Sequence, residues 1–219
     1  MSFIDKVTYG NLDLRRKEIS LKRDDLSKKL MSLGIYDRLF DMPPPENSSS
    51  ETKRELLKLV KYIGELTEVT LEFCKKAEED HNQMFVDYLE RHGISDISLK
   101  DLNKVLDQTE PLLIRLKEYY NRPRPYQLAS YYNLDLYVPI DAHQASSPAY
   151  PSGHAYEGYI ISELLAKKYP EHAVGLLKLG KLIGLSRLLI GVHYRTDYDF
   201  GIYIAKQIIA NNLVQLYNS

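Results

Sequence analysis

Apolar residues recur along this chain at helical spacing and almost nowhere with the alternation of strands. Residues 11 to 33 set Leu12, Ile19, Leu26 and Leu33 seven apart. Arg15, Lys22 and Lys29 stand between them, where a coiled coil would place apolar side chains. The pattern predicts a charged helix with one narrow apolar stripe, packed on its own domain; a subunit-contact arm is the sharper alternative. "DMPPPENSSSE" interrupts it, because Pro43, Pro44 and Pro45 cannot continue a helix. Ser48 and Glu51 then have capping-box spacing. Over about 50 to 80 one helix is expected with two apolar stripes, Leu56, Val60 and Ile63 on one side and Leu59, Tyr62, Leu66, Val69 and Phe73 on the other. Two stripes predict burial between neighbours. A shorter helix over 81–91 should end at His92-Gly93. Ser98 can cap a helix reaching about Tyr120.

Residues 121 to 150, rich in Pro and Tyr, are expected to be irregular, with helices over 152–168, 171–190 and 197–216 after them. "LDLYVPI" alone has a strand-like pattern, and it is short. The expected fold class is all-α, a single-domain helical bundle. Residues 1–45 would form an N-terminal helical extension and residues 46–219 the main domain.

Composition narrows the partners. The chain has 219 residues, enough for one domain with a real core, and 44% apolar against 27% charged residues suits a globular protein. A net charge of −1 gives no global attraction to a nucleic acid polymer or an anionic membrane, so any anion must be held by a local basic cluster. Cys74 stands alone, which excludes an intrachain disulfide; its helical setting makes it core filler rather than a nucleophile. "AVGLLKLGKLIGLSRLLIGVHY" is the most apolar stretch, and Lys178, Lys181 and Arg187 cut it, so no membrane span is expected. "MSFIDKVTYGNLDLRRKE" has no apolar core of a secretory signal. A soluble, cytoplasmic protein is the expectation.

Three clusters in the second half carry the candidate chemistry: "KEYYNRPRP" with Lys117, Arg122 and Arg124; "PSGH", Pro151 to His154; and "SRLLIGVHYRTD" with Ser186, Arg187, His193 and Asp197. Singly, each has an ordinary explanation: solvated charges at a helix end, a helix start, and a local pair four residues apart. Together they are a sufficient donor set for an oxyanion. Arginine offers a planar fork, lysine a point charge, and a helix start at Ser152-Gly153 adds backbone amides. Of two histidines, one can attack while neutral if an acceptor such as Asp197 holds its other nitrogen. The other, His154, can protonate the departing oxygen.

The order Lys, six residues, Arg-Pro; Pro-Ser-Gly-His; Ser-Arg, five residues, His, three residues, Asp resembles the signature of the type 2 phosphatidic acid phosphatase (PAP2) superfamily. That superfamily includes class A acid phosphatases, lipid phosphatases and vanadium haloperoxidases. The motifs span 117 to 197, and residues 1 to 100 match only in being helical. The resemblance implies a PAP2/haloperoxidase-type bundle and gives each residue a role. Lys117, Arg124 and Arg187 would hold phosphate oxygens, and Ser152 and Gly153 would add hydroxyl and amide donors. His193 would attack phosphorus and Asp197 would orient it. His154 would protonate the leaving alkoxide and then activate water, and Ser186 would support the site. It implies a metal-independent phosphoric monoester hydrolase with a small phosphorylated substrate, nucleotides included, and no cofactor; vanadate would serve in its place in a haloperoxidase. The periplasmic members carry a signal peptide and the lipid phosphatases are membrane proteins, so the substrate stays open.

Other readings remain beside this one. "PAYPSGHA" also resembles the haloperoxidase branch, although this chain is short for those enzymes. A non-catalytic phosphate-binding or interaction protein is a second alternative, with the N-terminal helices as candidates for a homo-oligomer contact. A metal site on Asp141, His143 and His154 is a third, weakly supported by spacing. Arg122 is read as a solvated neighbour of the site in preference to a further anion ligand. The 18 tyrosines with no tryptophan pack helices, or one or two of Tyr119, Tyr120, Tyr126, Tyr150, Tyr156 and Tyr194 line a leaving-group pocket.

Overall fold

The protein is seen as a computed structural model that describes residues 2–22 and 24–216. Residues 1, 23 and 217–219, which fall within the two expected units, lie outside the described residues. Among those described every regular element is a helix, so the all-α expectation stands. "LDLYVPI" forms no strand.

The single helix expected over 11–33 is two, α1 (Leu14–Leu21) and α2 (Asp25–Ser32). The chain turns extended at Lys22, and Asp24 restarts it by accepting from Ser27 N at 2.7 Å. The stripe survives the break as far as Leu26: Leu12, Ile19 and Leu26 are buried, while Leu33 is exposed. Leu12 and Ile19 pack with Ile114, and Leu26, Leu30 and Leu39 join the main core. Leu39 belongs to the short helix α3 (Tyr36–Phe40).

The long helix expected over 50–80 is also divided, into α4 (Ser50–Gly64) and α5 (Glu68–Arg91). Thr67 and Thr70 exchange side-chain to backbone bonds at 3.2 and 2.9 Å, a local alternative to continuing α4 that opens α5 instead. The α4 cap is Ser49 with Thr52, one residue beyond the expected Ser48. The end expected near 80 is a kink: Asp80 leaves helical geometry, and its carboxylate caps Asn82 and Gln83. Ser98 and Asp101 cap α6 (Leu99–Tyr120) reciprocally. Asn121, at φ 44°, ends it in the left-handed conformation tolerated by asparagine. After the short α7 (Pro125–Leu128), mostly irregular chain leads to α8 (Gly153–Lys168), α9 (Ala173–Leu189) and α10 (Arg195–Ala210).

Two glycines decide how α8 and α9 meet. A Cβ on Gly180 would stand 2.4 Å from the Gly158 carbonyl oxygen, so a larger residue would force the helices apart. That crossing sets "PSGH" at the head of α8 against Arg187 near the end of α9. Around it gather Phe85 and Leu89 of α5, Leu112 and Leu116 of α6, Ile160 and Ile161 of α8, and Ile204 and Ile208 of α10. No helix among the described residues is long and apolar enough to cross a membrane.

Candidate active site

The motif residues converge on one cavity of about 520 Å³. Lys117, Arg124, Gly153, His154, Arg187 and His193 line it. Lys117 comes from the last turn of α6 and Arg124 from the N-cap of α7, and the left-handed turn at Asn121 brings them to the same side. Lys117 Nζ donates to the Pro148 carbonyl at 2.7 Å. Arg124 Nε donates to the Ser147 carbonyl at 2.7 Å and its Nη1 to the Val192 carbonyl at 2.8 Å. Burial first, then the neighbouring cation Arg124, hold the Lys117 ammonium well below its usual range. Burial and Arg187 bring Arg124 down to about 10. Three cations crowded out of water strain against one another, and an anion among them would relieve that.

His193 is held at both nitrogens. Nδ1 lies 3.1 Å from Asp197 Oδ2, so it donates there, and Nε2 accepts from Arg124 Nη1 at 2.9 Å. The imidazole is therefore neutral, with the Nε2 lone pair toward the cations. Burial, then Arg124 and Lys117, push its pKa well below the ordinary value. The local fold follows from the same carboxylate. Gly191, at φ 71°, turns the chain after α9, and Asp197 caps α10 by accepting from Tyr194 N at 2.8 Å.

His154 faces the cavity from the first turn of α8, and its Nε2 donates to the Ala77 carbonyl at 3.0 Å. That bond leaves Nδ1 free for the cavity. Burial, Arg187 and His81 together hold its pKa well below the ordinary value. Ser152 is fully buried as the α8 N-cap, accepting from Ala155 N at 3.5 Å, while its own N–H donates to the Asp197 carbonyl at 3.0 Å. Ser186 is also fully buried, and its hydroxyl donates to the Ile183 carbonyl at 2.6 Å. Neither serine is among the residues lining the cavity, although both stiffen helices that reach it.

Three side chains with structural roles here, Glu55, Glu78 and His81, were missed by the sequence reading, and Arg122 was misread. Arg122 is neither solvated nor in the cavity lining: it is 2% exposed and reaches Asp197 Oδ1 at 2.5 Å and Glu55 Oε2 at 3.4 Å. Its guanidinium lies 3.9 Å from the centre of the Tyr194 ring. Burial raises Asp197 to about 6, with Arg122 pulling the other way. Glu55 of α4 also accepts from Thr196 N at 2.7 Å. Glu78 of α5 lies 2.6 Å from Arg187 Nη2, while Arg187 Nε and Nη1 are buried without a partner. The third is His81, whose ring centre lies 4.8 Å from that of His154. These partners lie up to 141 residues apart in the chain, which no local spacing could disclose.

The remaining expectations resolve simply. Asp141 and His143 form an exposed pair, far more open than buried His154, and among the described residues no group of three or more His, Cys, Asp or Glu is placed to hold a metal ion. Burial takes the Cys74 thiol up to about 11, as suits packing rather than attack. None of the six tyrosines lines the cavity. Tyr150 stacks on Phe200 with ring centres 4.4 Å apart, and Tyr156 donates to the Thr109 carbonyl at 3.3 Å.

Residues 107–214 match the model of the PAP2 superfamily, a segment that holds every motif residue of the cavity. This segment of the chain belongs to the PAP2 superfamily. It is similar to an acid phosphatase of Zymomonas mobilis subsp. mobilis, 32% identical over 44% of this chain and 36% of that one. A non-specific acid phosphatase of Salmonella typhimurium is 35% identical over 40% of this chain and 34% of that one. One of Providencia stuartii is 30% identical over 51% and 44%. The chain thus spans less than half the length of these acid phosphatases. A solved transmembrane PAP2-type phosphatidylglycerolphosphate phosphatase from Bacillus subtilis aligns with a TM-score of 0.49 at 17% identity, over 84% of this chain and 96% of that one. Glu55, Glu78 and His81 fall outside the PAP2 segment.

Proposed function

We propose that this chain hydrolyses phosphomonoesters through a phosphohistidine, with fixed cations taking the part that metals play in other phosphatases. The carrying observation is His193: Asp197 holds Nδ1 at 3.1 Å, and Nε2 accepts from Arg124 Nη1 at 2.9 Å, a guanidinium that turns to the phosphoryl oxygens as Nε2 attacks. The acid phosphatases it resembles support the class of reaction. The phosphoryl oxygens take Lys117, Arg124 and the unpartnered Nε and Nη1 of Arg187, with the Gly153 amide at the head of α8. His193 Nε2 attacks phosphorus as the ester P–O bond breaks. His154 Nδ1 gives its proton to the departing alkoxide. A water then attacks phosphorus, yields its proton to His154 Nδ1, and the P–N bond breaks to release phosphate. A dianionic phosphoryl group among these residues opposes the burial and guanidinium charges that lower His154, and so favours the protonated acid the first step needs.

The cavity suits a small phosphorylated molecule. Its walls are charged and aliphatic, so nucleotides enter as candidates on size and phosphate chemistry, without an aromatic stacking surface from the six tyrosines. The test is phosphate release from p-nitrophenyl phosphate in excess chelator, with rapid-quench trapping of a phosphoryl-protein stable to alkali and labile to acid. Chelator-resistant release with that trapped species is expected. Bromide oxidation with vanadate and peroxide, without phosphate release, would overturn the proposal.

A further inference from the structure

His81 belongs to no motif and lies outside the PAP2 segment, yet it is only 6% exposed and sits beside the proposed general acid. Its ring centre is 4.8 Å from that of His154, with the planes tilted by 43°. Its Nε2 is 3.2 Å from Glu157 Oε2, a close contact off hydrogen-bond alignment, so neither His81 ring nitrogen is hydrogen-bonded among the described residues. Glu157 follows His154 by three residues on α8, so the two share a face. The α5 turn from Ala77 to His81 therefore meets that face twice, through the Ala77 carbonyl on His154 Nε2 and through His81 on Glu157.

The kink in α5 explains why this turn can do so. Asp80 has φ −159° and ψ 94°, so the regular ladder is interrupted between Ala77 and the residues that follow. Asp80 closes the interruption with its own carboxylate, accepting from Asn82 N and Gln83 N at 3.0 Å each. The kinked turn thus carries a carbonyl and an imidazole to the face of α8 that holds His154.

We propose that His81 is a positioning residue for His154: with Glu157 it braces the imidazole so that Nε2 stays on the Ala77 carbonyl and Nδ1 stays aimed at the leaving oxygen. This rests on the phosphatase reading above. His81 touches no reacting atom. Its effect is selective, because a misaligned acid harms only esters whose leaving group needs a proton. Arg187 of α9, Arg124 at the start of α7, His193, Glu78 of α5, Lys117 and Glu110 of α6, and Arg15 and Arg16 of α1 are the charged or titratable groups around the pair. None of them is itself substituted when His81 alone is changed.

The experiment compares the wild type, His81→Phe, His154→Ala and the double variant on phosphate esters of rising leaving-group pKa, from p-nitrophenyl to alkyl phosphate. For His81→Phe, kcat on alkyl phosphate should fall about 10- to 100-fold, within the span of a general-acid contribution. On p-nitrophenyl phosphate it should change less than about threefold, with KM little altered on both. In the His154→Ala background the same change should add nothing to the leaving-group dependence. Glu157→Gln, which loosens the brace from α8, should steepen that dependence in the same direction and serves if His81→Phe does not fold. An equal loss on every ester, or an undiminished effect without His154, overturns the role of His81. A wild type that releases no phosphate from any ester overturns the phosphatase reading and this role with it, whereas active wild type with flat variants overturns this role alone.

Discussion

The two halves of this molecule divide one site between them in different currencies. The segment from 107 onward supplies the groups that can touch a phosphate: three cations, two histidines and a helix start. The first hundred residues supply what keeps those groups usable: Glu55 against Arg122, Glu78 against Arg187, the Ala77 carbonyl on His154, and α1 along the cavity wall. The difference is physical. Groups that meet a ligand must be spaced for that ligand, so they lie in short motifs. A countercharge needs only to arrive at the right place in the fold, from any helix. A buried cation without one would be costly, so the second set is as necessary as the first.

The largest expected contrast is chemical. His193→Ala removes the nucleophile, and turnover should fall by at least about 10³-fold while phosphate or vanadate binding, read by calorimetry, survives in part. Parental turnover in that variant would move the chemistry away from the C-terminal half and dissolve the comparison.

Next comes stability. Glu55→Ala leaves Arg122, 2% exposed, with one carboxylate instead of two. Removing one partner of a buried pair costs about 3–5 kcal/mol. For a chain of this size that is a melting-temperature loss of roughly 6–20 °C, read by thermal denaturation. A loss under about 2 °C would mean that Asp197 alone satisfies Arg122 and that the first half contributes packing rather than charge.

How much of this was legible depended on the same division. The all-α class and the caps at Ser98 and Ser152 could be read from periodicity and local pattern, and the convergence of Lys117, Arg124, His154, Arg187 and His193 was implied by the resemblance that their three motifs carry together. The breaks at Lys22 and Thr67 could not be read from hydrophobic period, which runs on through both. Side-chain competition for the backbone decides them instead. Arg122 was misread because its charge suggested solvent, whereas its two carboxylates come from 67 residues before it and 75 after. The local signal was there, in an arginine two residues from Arg124, but its meaning lay in the tertiary fold.

A third prediction concerns pH. His193 must be neutral to attack, and its folded pKa is held below the ordinary 6.5 by burial, Arg124 and Lys117. His193 is therefore still neutral well below pH 6.5, and the acid limb falls where Asp197, at about 6, takes up a proton and stops holding Nδ1. His154 must be protonated, so activity declines as pH rises through its value in the complex. The profile of kcat should peak on the acid side of neutrality and fall as pH rises into the alkaline range. Arg122→Gln removes the charge that opposes the burial of Asp197, whose pKa is already about 6. Its acid limb should move to higher pH; an unmoved limb would show that Arg122 does not set the charge on Asp197.

The smallest effect tests whether α1 is wall or ligand. Arg16 lines the cavity, donates to Ser146 Oγ at 3.1 Å and lies 3.6 Å from Asp13. It is neither deeply buried nor tightly paired, and such surface contacts contribute about 0–1 kcal/mol. Arg16→Ala should leave kcat unchanged and raise KM for small phosphate esters by about two- to fivefold at low salt, through the loss of one rim charge. The shift should shrink as ionic strength rises, because a rim charge is screened and a buried one is not. A rise beyond about tenfold that persists in high salt would mean that Arg16 grips the substrate directly. The first hundred residues would then hold a ligand of their own as well as the counterions of the second half.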